Sequence, residues 1–330
     1  MDHMNVLEFE QTLAELTAEL DKLRAAAARE HRPDAQAEAD AMEKRRNELL
    51  ARFFSKLEPW DEVLLARHKD RPYTLDYVPL LTEDFLELHG DRLFGDDGAI
   101  VGGMARIGGE GVLLLGQQKG RDLKERQKRN FGYVRPEGYR KALRLMQMAA
   151  KFRRPVVTLV DTPGADPNVP SEERGISESI ARNLREMAAL RTPTIAVVIG
   201  EGGSGGALGL AVADRVLMLE HAIYSVIAPE GCAAIIWRDP TRAAEAARAM
   251  RVTARDALRL GLIDEVISEP LGGAHRDVET TAANIRDAIT RHLRELKAVA
   301  PDQLQRDRYA RLRSFGKFEQ ITGDAVLATV

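Results

Sequence analysis

The sequence is poor in the residues from which several classes of site are built. Cys232 is its only cysteine, which excludes a disulfide within the chain and makes a cage of thiolate metal ligands implausible. The segment MDHMNVLEFE at the start lacks the basic and apolar regions of a signal peptide, and no apolar run approaches the roughly 20 residues that span a bilayer. A net charge of −3 gives no general attraction to nucleic acid or acidic membranes. We therefore expect a cytoplasmic protein that binds neither membrane nor nucleic acid.

What is present suffices for one large α/β domain with appendages, since 44% of the 330 residues are hydrophobic and 30% are charged. Near the start, apolar residues recur at alternating spacings of four and three: Phe9, Leu13, Leu16, Leu20 and Leu23. This narrow seam predicts a helical hairpin over residues 1–55, packed either on the body of its own chain or on a partner subunit. We expect the body at 56–298 and a basic, exposed tail at 299–330.

Strands and helices are predicted to alternate through the body. Apolar runs of strand type end at Gly116, Asp161 and Gly200, roughly forty residues apart, and each is followed by a helical segment. One of these helices opens with Pro136, and another is expected to run without a break over 172–190. Such repetition predicts an α/β fold whose ligand-binding loops follow the carboxyl ends of the strands.

The most informative segment is TIAVVIGEGGSGGA at residues 194–207, in which a buried strand meets a run of glycines and then a short helix. Glycine lets the chain turn tightly and lets a ligand approach the backbone, and the first N–H groups of a helix lack partners within it. This pattern favours a site for an oxyanion or a phosphate. The preceding strand ends in DTPGA at 161–165, so turns from two adjacent strands can direct N–H groups at one oxygen.

Two other motifs in these turns indicate nucleotide binding, and each lacks a necessary part. Residues 200–205 match the G-x-G-x-x-G of dinucleotide-binding folds, but the helix that follows them is short for such a site. The DTPG of residues 161–164 imitates a GTPase switch, but the chain contains no phosphate-binding P-loop. Neither motif is therefore the preferred interpretation.

A third motif, the G-x-S-x-G of residues 202–206, matches the nucleophile elbow of serine hydrolases. That interpretation makes Ser204 a nucleophile, which needs a histidine base. His221 lies close to the strand that follows, and His275 and His292 are expected in less structured or exposed surroundings. The simpler interpretation is that Ser204 caps the following helix.

Long segments of the chain carry a resemblance to a known family. They are IGEGGSGGALGLAVADRV, VDTPGADPNVPSEERGISESIARNLREMAAL, PEGYRKALRLMQMA and YSVIAPEGCAAIIW, together with RPYTLDYV, QKGR, RNFG and EPLGGAHR. They closely resemble the alpha subunit of the bacterial acetyl-CoA carboxylase carboxyltransferase, from the N-terminal helices to about Phe315. The resemblance implies an α/β fold of the ClpP/crotonase type. This crotonase-like fold is a spiral of ββα units, here with an N-terminal helical hairpin and C-terminal helices.

The resemblance also implies an activity and its partners. The family transfers the carboxyl group of carboxybiotin, held on the biotin carboxyl carrier protein, to acetyl-CoA, which gives malonyl-CoA for fatty-acid synthesis. The alpha subunit works with a beta subunit of similar fold that carries a zinc ribbon, in an assembly of two copies of each subunit. Biotin carboxylase belongs to the same system. No metal is implied in this chain.

Site residues follow from the same resemblance. Gly205 and Gly206 would supply the oxyanion hole of the alpha subunit, for biotin, while the beta subunit supplies that of the thioester. The substrate-binding surface would also include Gly164, Ala165, Gly202 and Gly203.

Charged residues near these turns carry open alternatives. Arg174 would either bind a substrate carboxylate or lie exposed at the start of a helix. Lys119 and Arg121 open a basic stretch that would either attract the phosphates of CoA or face solvent as a charged surface. A nucleic-acid patch is the least favoured alternative, because aromatic residues near the stretch are confined to Phe131 and Tyr133.

The sequence departs from the family pattern in the DTPGA loop. Asp166 stands where an aromatic residue is expected, and Asn168 and Pro170 replace smaller residues. An extra carboxylate beside the site would repel a substrate carboxylate. Two other classes of function stay open: a crotonase-fold serine peptidase or thioesterase that uses Ser204, and a non-catalytic subunit that binds acyl-CoA.

Overall fold

Strands and helices alternate along the described residues, 6–30 and 33–316 of a computed structural model. The strands are β1 (Glu83–Glu87), β2 (Ile100–Ile107), β3 (Glu110–Gln117), β4 (Val156–Thr162), β5 (Thr194–Gly203), β6 (Arg215–Leu219), β7 (Ile223–Ser225) and β8 (Glu265–Ile267). The α-helices are α1 (Val6–Glu30), α2 (Pro33–Phe54), α3 (Pro59–Ala66), α4 (Thr74–Leu81), α5 (Leu123–Lys128), α6 (Pro136–Lys151), α7 (Val169–Glu173), α8 (Ile176–Ala189), α9 (Ser204–Ala211), α10 (Pro229–Trp237), α11 (Ala243–Met250), α12 (Ala254–Arg259), α13 (Val278–Lys297) and α14 (Pro301–Arg313). Short 3-10 helices lie at Asn130–Gly132 and Pro240–Arg242.

The strands of the described residues form one sheet in the order β1-β2-β3-β4-β5-β6-β8, with β7 paired to the end of β5. Neighbours are antiparallel from β1 to β3 and parallel from β3 to β8. Residues 195–198 of β5 pair with both β4 and β6, whereas 201–203 pair with β7. Because β3, β4 and β5 are parallel, their carboxyl ends meet at one edge of the sheet, where the predicted loops begin.

The central strands are fully buried and extend farther than the sequence predicts. Every residue of β4 and of β5 is buried, and both begin as runs of β-branched and aliphatic residues, which is typical of parallel strands covered on both faces. The strand expected to end at Ile199 continues through the glycines to Gly203. The turn predicted at Gly202 to Gly206 is therefore wrong for Gly202 and Gly203, which belong to the strand. Pairing with β4 and β7 supplies the extended conformation that glycine does not favour by itself.

The N-terminal hairpin consists of α1 and α2, and its base packs on the body of its own chain. Within the hairpin, a buried cluster joins the two helices and consists of Phe9, Leu13 and Leu50. Phe53 packs against it, and the Phe9 and Phe53 rings stack with centroids 4.0 Å apart. The N–H of Val6 also donates to Asp61 of α3 at 3.2 Å. Of the two alternatives for the hairpin, the structure shows the contact with the body. Of residues 31–34, where the sequence predicts the interruption between the two helices, residues 31 and 32 lie outside the described residues and 33 and 34 begin α2.

Two predicted segments differ in the structure. The helix expected over 172–190 is divided into α7 and α8 by Gly175, whose φ of 78° lies in the left-handed region that favours glycine. The tail expected to be exposed from residue 299 instead forms α14, in which Leu304 and Arg308 are buried. Residues 317–330 lie outside the described residues. None of the described helices combines the length and the apolar character needed to cross a membrane.

Candidate active site

The loop after β4 meets the junction between β5 and α9 backbone to backbone, and these two segments are the two loops of the site. Thr162 pairs with Gly202 across the two strands. A Cβ atom on Gly203 would lie 2.3 Å from the carbonyl oxygen of Pro163, and one on Gly206 would lie 2.4 Å from the carbonyl carbon of Gly164. Only glycine fits at these contacts, because any side chain would force one of the two loops to move.

The first turn of α9 leaves its N–H groups without a side-chain cap. Gly203 precedes the helix and offers no side chain to accept them, so Ser204 does not take the capping role predicted for it. Ser204 itself adopts a φ of 52°, and its side chain is exposed. Gly205 is half-buried, whereas Gly206 is buried against the loop after β4. The predicted pair of glycines therefore lies at a helix start, where backbone N–H groups attract negative charge.

The carbonyl of Gly206 is held by two side chains that the sequence analysis missed. Gln117 Nε2 donates to it at 2.9 Å, and the hydroxyl of Tyr139 donates to it at 3.1 Å. Gln117 Oε1 accepts the N–H of Asp161 at 3.0 Å. Burial raises the pKa of Tyr139 well above its usual value, so the hydroxyl keeps its proton and remains a donor. The QKGR resemblance begins one residue after Gln117, and no local pattern marks either residue.

A buried ion-pair network ties the two strand ends together. Lys119 Nζ lies 2.8 Å from Asp161 Oδ1 and 2.8 Å from Glu201 Oε2, and the N–H of Glu201 donates to Asp161 at 2.9 Å. Burial lowers the pKa of Lys119, but the two carboxylates outweigh this effect and hold that pKa above its usual value. Arg67 Nε binds the other oxygen of Glu201 at 2.6 Å. Lys119, expected to attract phosphates or to face solvent, is thus engaged by carboxylates inside the protein.

The other predicted basic residues are also paired. Arg174 Nε donates to the buried Glu137 of α6 at 2.7 Å, and its guanidinium lies 4.9 Å from the centre of the Phe94 ring. Neither alternative for Arg174, a free ligand for a carboxylate or an exposed arginine, describes this contact. Arg121 forms an ion pair with Asp76 and lies 4.9 Å from the centre of the Tyr73 ring.

The Asp166 carboxylate is engaged within its own loop. It accepts hydrogen bonds from Asn168 Nδ2 and Ser171 Oγ, both at 2.6 Å, and only 4% of the residue is exposed. Asn168 precedes α7, and Pro170 lies in its first turn. The three departures from the family pattern together form the start of one short helix. The expected repulsion of a substrate by Asp166 is therefore weakened, because its carboxylate is buried and hydrogen-bonded.

An apolar cavity opens beside the half-buried Gly205. Its volume is about 490 Å³. Its lining comprises Ser204, Gly205, Leu208, Ala211, Val212, Val216, Tyr224, Ser225, Val226, Leu262, Arg311, Leu312 and Phe315. The site thus combines backbone N–H groups at one point with an apolar wall, which suits a flat, largely apolar ligand that carries one polar oxygen.

The histidines of the described residues do not support a Ser204 nucleophile. His221 bonds to Glu62 at 2.8 Å, His275 to Glu10 at 3.1 Å and His292 to Glu265 at 2.7 Å. The three side chains are buried. His275 lies in the less structured turn before α13, as predicted, whereas His292 lies buried within α13, so the surroundings predicted for His292 are wrong. Each of these three imidazoles pairs with a carboxylate and not with Ser204.

One group of possible metal ligands occurs among the described residues, at the base of the hairpin. The ligand atoms of Glu10, His68 and His275 lie within 4.8 Å of one another. The N–H of Asp70 donates to His68 Nδ1 at 3.2 Å, which leaves the ring proton on Nε2, facing Glu10 at 3.3 Å. Arg276 also binds Glu10, at 2.9 Å. These contacts hold α1 on the body as a hydrogen-bonded cluster.

Comparison with known proteins decides the family. A family model described as acetyl co-enzyme A carboxylase carboxyltransferase-like matches residues 6–316. The acetyl-coenzyme A carboxylase carboxyl transferase subunit alpha of Geobacter metallireducens is 55% identical over 314 residues, which cover 95% of this chain and 98% of that protein. The subunit of the same name from Bordetella pertussis is 52% identical over 315 residues, covering 96% and 98%. This chain belongs to the acetyl-CoA carboxylase carboxyltransferase alpha family. The family predicted from the sequence is confirmed.

Solved structures support the fold of this carboxyltransferase. Transcarboxylase 12S, crystallised with methylmalonyl-coenzyme A and methylmalonic acid, matches with a TM-score of 0.57 at 21% identity, over 78% of this chain and 46% of that longer chain. The hetero-dimer of a Pseudomonas malonate decarboxylase gives a TM-score of 0.54 at 21% identity, over 66% and 90%. The crotonase-like fold is confirmed. Among the glycines of the G-x-G-x-x-G and G-x-S-x-G matches in this carboxyltransferase, Gly206 is the one that packs against the loop after β4.

Proposed function

We propose that this chain is the alpha half of a carboxyltransferase that moves a carboxyl group from carboxybiotin to acetyl-CoA, forming malonyl-CoA. The observation that carries the proposal is the uncapped first turn of α9, whose half-buried Gly205 borders an apolar cavity. Such a turn stabilises an oxyanion without a side-chain base. We assign the activity to the body at 56–298, with the hairpin at 1–55 and the tail at 299–330 as separate parts.

Biotin, brought by its carrier protein, supplies the carboxyl group and accepts the methyl proton of acetyl-CoA. The task left to this chain is to bind the ring and to stabilise the negative charge on its oxygen during transfer. The N–H groups of Gly205 and Gly206 donate to that oxygen, and one such donor lowers the activation free energy by ~3–4 kcal/mol. Gly164, Ala165, Gly202 and Gly203 hold the two loops at the spacing that this requires. We assign a supporting role to three basic residues, whose ion pairs join parts of the protein around the site: Arg174, Lys119 and Arg121.

The cavity beside Gly205 supports biotin as the ligand. Its wall is made largely of aliphatic and aromatic side chains, including Leu208, Val226 and Phe315, which suit the apolar part of a biotin ring and chain. The buried carboxylate of Asp166 stays within its own loop, so the incoming carboxyl group meets no free negative charge from it.

The site is completed by partners. We propose a beta subunit of similar fold that stabilises the thioester oxyanion and carries a zinc ribbon, in an assembly of two alpha and two beta subunits. The biotin carboxyl carrier protein and biotin carboxylase deliver the carboxyl group, and acetyl-CoA and malonyl-CoA are substrate and product. A cytoplasmic location fits this partner set.

The reverse reaction tests the proposal. The purified chain is mixed with a cognate beta subunit, and carboxylation of free biotin is measured with malonyl-CoA as the donor. We expect turnover in the mixture and none with either subunit alone. Robust turnover by this chain alone would contradict a composite site. Binding of acyl-CoA without turnover in any mixture would favour a non-catalytic binding subunit instead.

A further inference from the structure

We propose that Gln117 is a positioning residue for carboxyl transfer, because it holds the first turn of α9 against the end of β4. The inference rests on the proposed function, since it concerns the N–H groups of that same turn. It goes further by assigning a task to a side chain that lies behind the site rather than in it.

The Gln117 side chain connects two different loops. Its Nε2 donates to the carbonyl of Gly206 at 2.9 Å, and its Oε1 accepts the N–H of Asp161 at 3.0 Å. The residue ends β3 and is fully buried. One amide therefore fixes the distance between the last residues of β4 and the first turn of α9.

An amide is the group that this position requires. It offers a donor and an acceptor at adjacent atoms, which match the Gly206 carbonyl and the Asp161 N–H. A carboxylate would still accept from Asp161, but it would face the Gly206 carbonyl oxygen to oxygen. An alkyl side chain would leave the Asp161 N–H buried without a partner, which is unfavourable.

Tyr139 acts on the same carbonyl from another element. Its hydroxyl donates to Gly206 at 3.1 Å, and its ring lies so close to Gly209 that a Cβ there would be 2.6 Å from Cε1. The Gly206 carbonyl thus accepts one donor from β3 and one from α6. Two fixed donors limit rotation of this peptide, and rotation within the first turn would redirect the neighbouring N–H groups away from an oxyanion.

Thr158 provides a matched control at the other end of α9. Its hydroxyl donates to the carbonyl of Leu210 at 2.7 Å, and the residue is fully buried in β4. Removing this hydroxyl deletes a comparable buried hydrogen bond to the same helix, but one helical turn after Gly206, or about 6 Å along the helix.

The test compares three variants of the full chain, each combined with the beta subunit: Gln117→Glu, Tyr139→Phe and Thr158→Val. Biotin carboxylation by malonyl-CoA gives kcat and KM, and thermal unfolding gives stability. We expect kcat to fall roughly ten- to a hundredfold for Gln117→Glu and less for Tyr139→Phe, with KM for malonyl-CoA nearly unchanged. Thr158→Val should lower the melting temperature without changing kcat.

The pH profile of Gln117→Glu supplies a second readout. Burial favours the protonated form of the new carboxyl group, and in that form it can donate to Gly206 as the amide does. Its kcat relative to that of the unsubstituted complex should therefore recover as the pH is lowered from about 8 to about 6. The corresponding ratio for Thr158→Val should stay flat.

Several results would overturn this role. Unchanged kcat in both Gln117→Glu and Tyr139→Phe would show that the carbonyl needs no anchor. An equal loss of kcat in all three variants would show that the hydrogen bonds of Gln117 have no more effect on transfer than any other buried hydrogen bond to α9. If Gln117→Glu does not fold, Tyr139→Phe against Thr158→Val decides the matter. An unsubstituted complex without carboxyl transfer would instead overturn the proposed function, and this role with it.

Discussion

The two ends of β5 hold buried charges in different ways. At the amino end, Arg308 of α14 donates to both oxygens of Asp214, at 2.9 and 2.7 Å. Its remaining hydrogen bonds go to three backbone carbonyls and to the hydroxyl of Thr194. Asp214 in turn accepts the N–H of Thr194, the first residue of β5, at 2.8 Å. This arrangement uses the fixed fork of a guanidinium and leaves its donors satisfied.

At the carboxyl end, Lys119 bridges Asp161 and Glu201 beside an open cavity of about 180 Å³. An ammonium group is more adaptable than a guanidinium, and the Lys119 side chain keeps 14% of its surface exposed, whereas Arg308 keeps none. The first-turn N–H groups of α9 lie at this same end. The comparison indicates that the charges at the amino end of β5 are closed in by the protein, whereas those at the carboxyl end border an open cavity.

Replacing Arg308 should give the largest loss of stability, because it removes the ion pair at the amino end of β5. In Arg308→Met, Asp214 is left as a buried charge without its partner, which costs ~3–5 kcal/mol of the free energy of unfolding. Urea denaturation of the purified chain measures this. Arg313→Met, which changes an exposed residue of the same helix, is the control and should stay within about 0.5 kcal/mol. Equal stability of the two variants would contradict the comparison.

Gly206→Ala should give the next largest effect, at the carboxyl end. The new Cβ would lie 2.4 Å from the carbonyl carbon of Gly164 and would force the two loops apart. We expect carboxyl transfer in the complex to fall on the order of 10² to 10³, as when an oxyanion donor is lost.

Gly205→Ala is the matched control for that substitution. A Cβ on Gly205 would meet only Ile180 at 3.8 Å, an ordinary contact, so transfer should stay within about tenfold, or ~1.4 kcal/mol. Similar losses in both glycine variants would show that loop packing is not what sets the activity.

Lys119→Met should have a smaller effect on stability than Arg308→Met. It leaves Asp161 and Glu201 without their shared cation, but Glu201 keeps Arg67 and the adjacent cavity admits water. We expect a loss of about 2 kcal/mol, below the usual range for a fully buried pair. Denaturation curves of Lys119→Met and Arg308→Met compare the two losses of stability. A larger loss for Lys119→Met would show that the carboxyl end of β5, and not the amino end, contributes more to stability.

Ser204→Ala should have the smallest effect, less than about tenfold in turnover, because the side chain is exposed and only the backbone of the loop is assigned a role. Loss of all activity in a folded complex would restore the serine hydrolase interpretation.

The elements with local signals were predictable from the sequence. Pro136 opens α6, as predicted. The two glycine-containing loops were also located correctly on adjacent parallel strands. These features depend on residues a few positions apart, which periodicity and capping rules describe.

The partners of the site could not be predicted, because they are distant in sequence. Gln117 meets Gly206 across 89 residues, and Arg308 meets Asp214 across 94. The basic stretch that includes Lys119 has the composition of a solvated surface. Its environment is different because the fold places Glu201 beside Lys119. The resemblance assigned roles to the glycines of the site. It assigned none to Tyr139, which lies in the segment PEGYRKALRLMQMA, and Gln117 lies outside the resembling segments.

The contact of Gly203 and Gly206 with the loop after β4 also limits how such a protein can change over evolutionary time. Neither loop has room to acquire a side chain at the contact, so an insertion or a bulkier residue in one demands a matching change in the other. Accepted variation should therefore collect just outside the contact. Asp166, Asn168 and Pro170 occupy that position in this chain, where they form a hydrogen-bonded helix start beside the glycine contact.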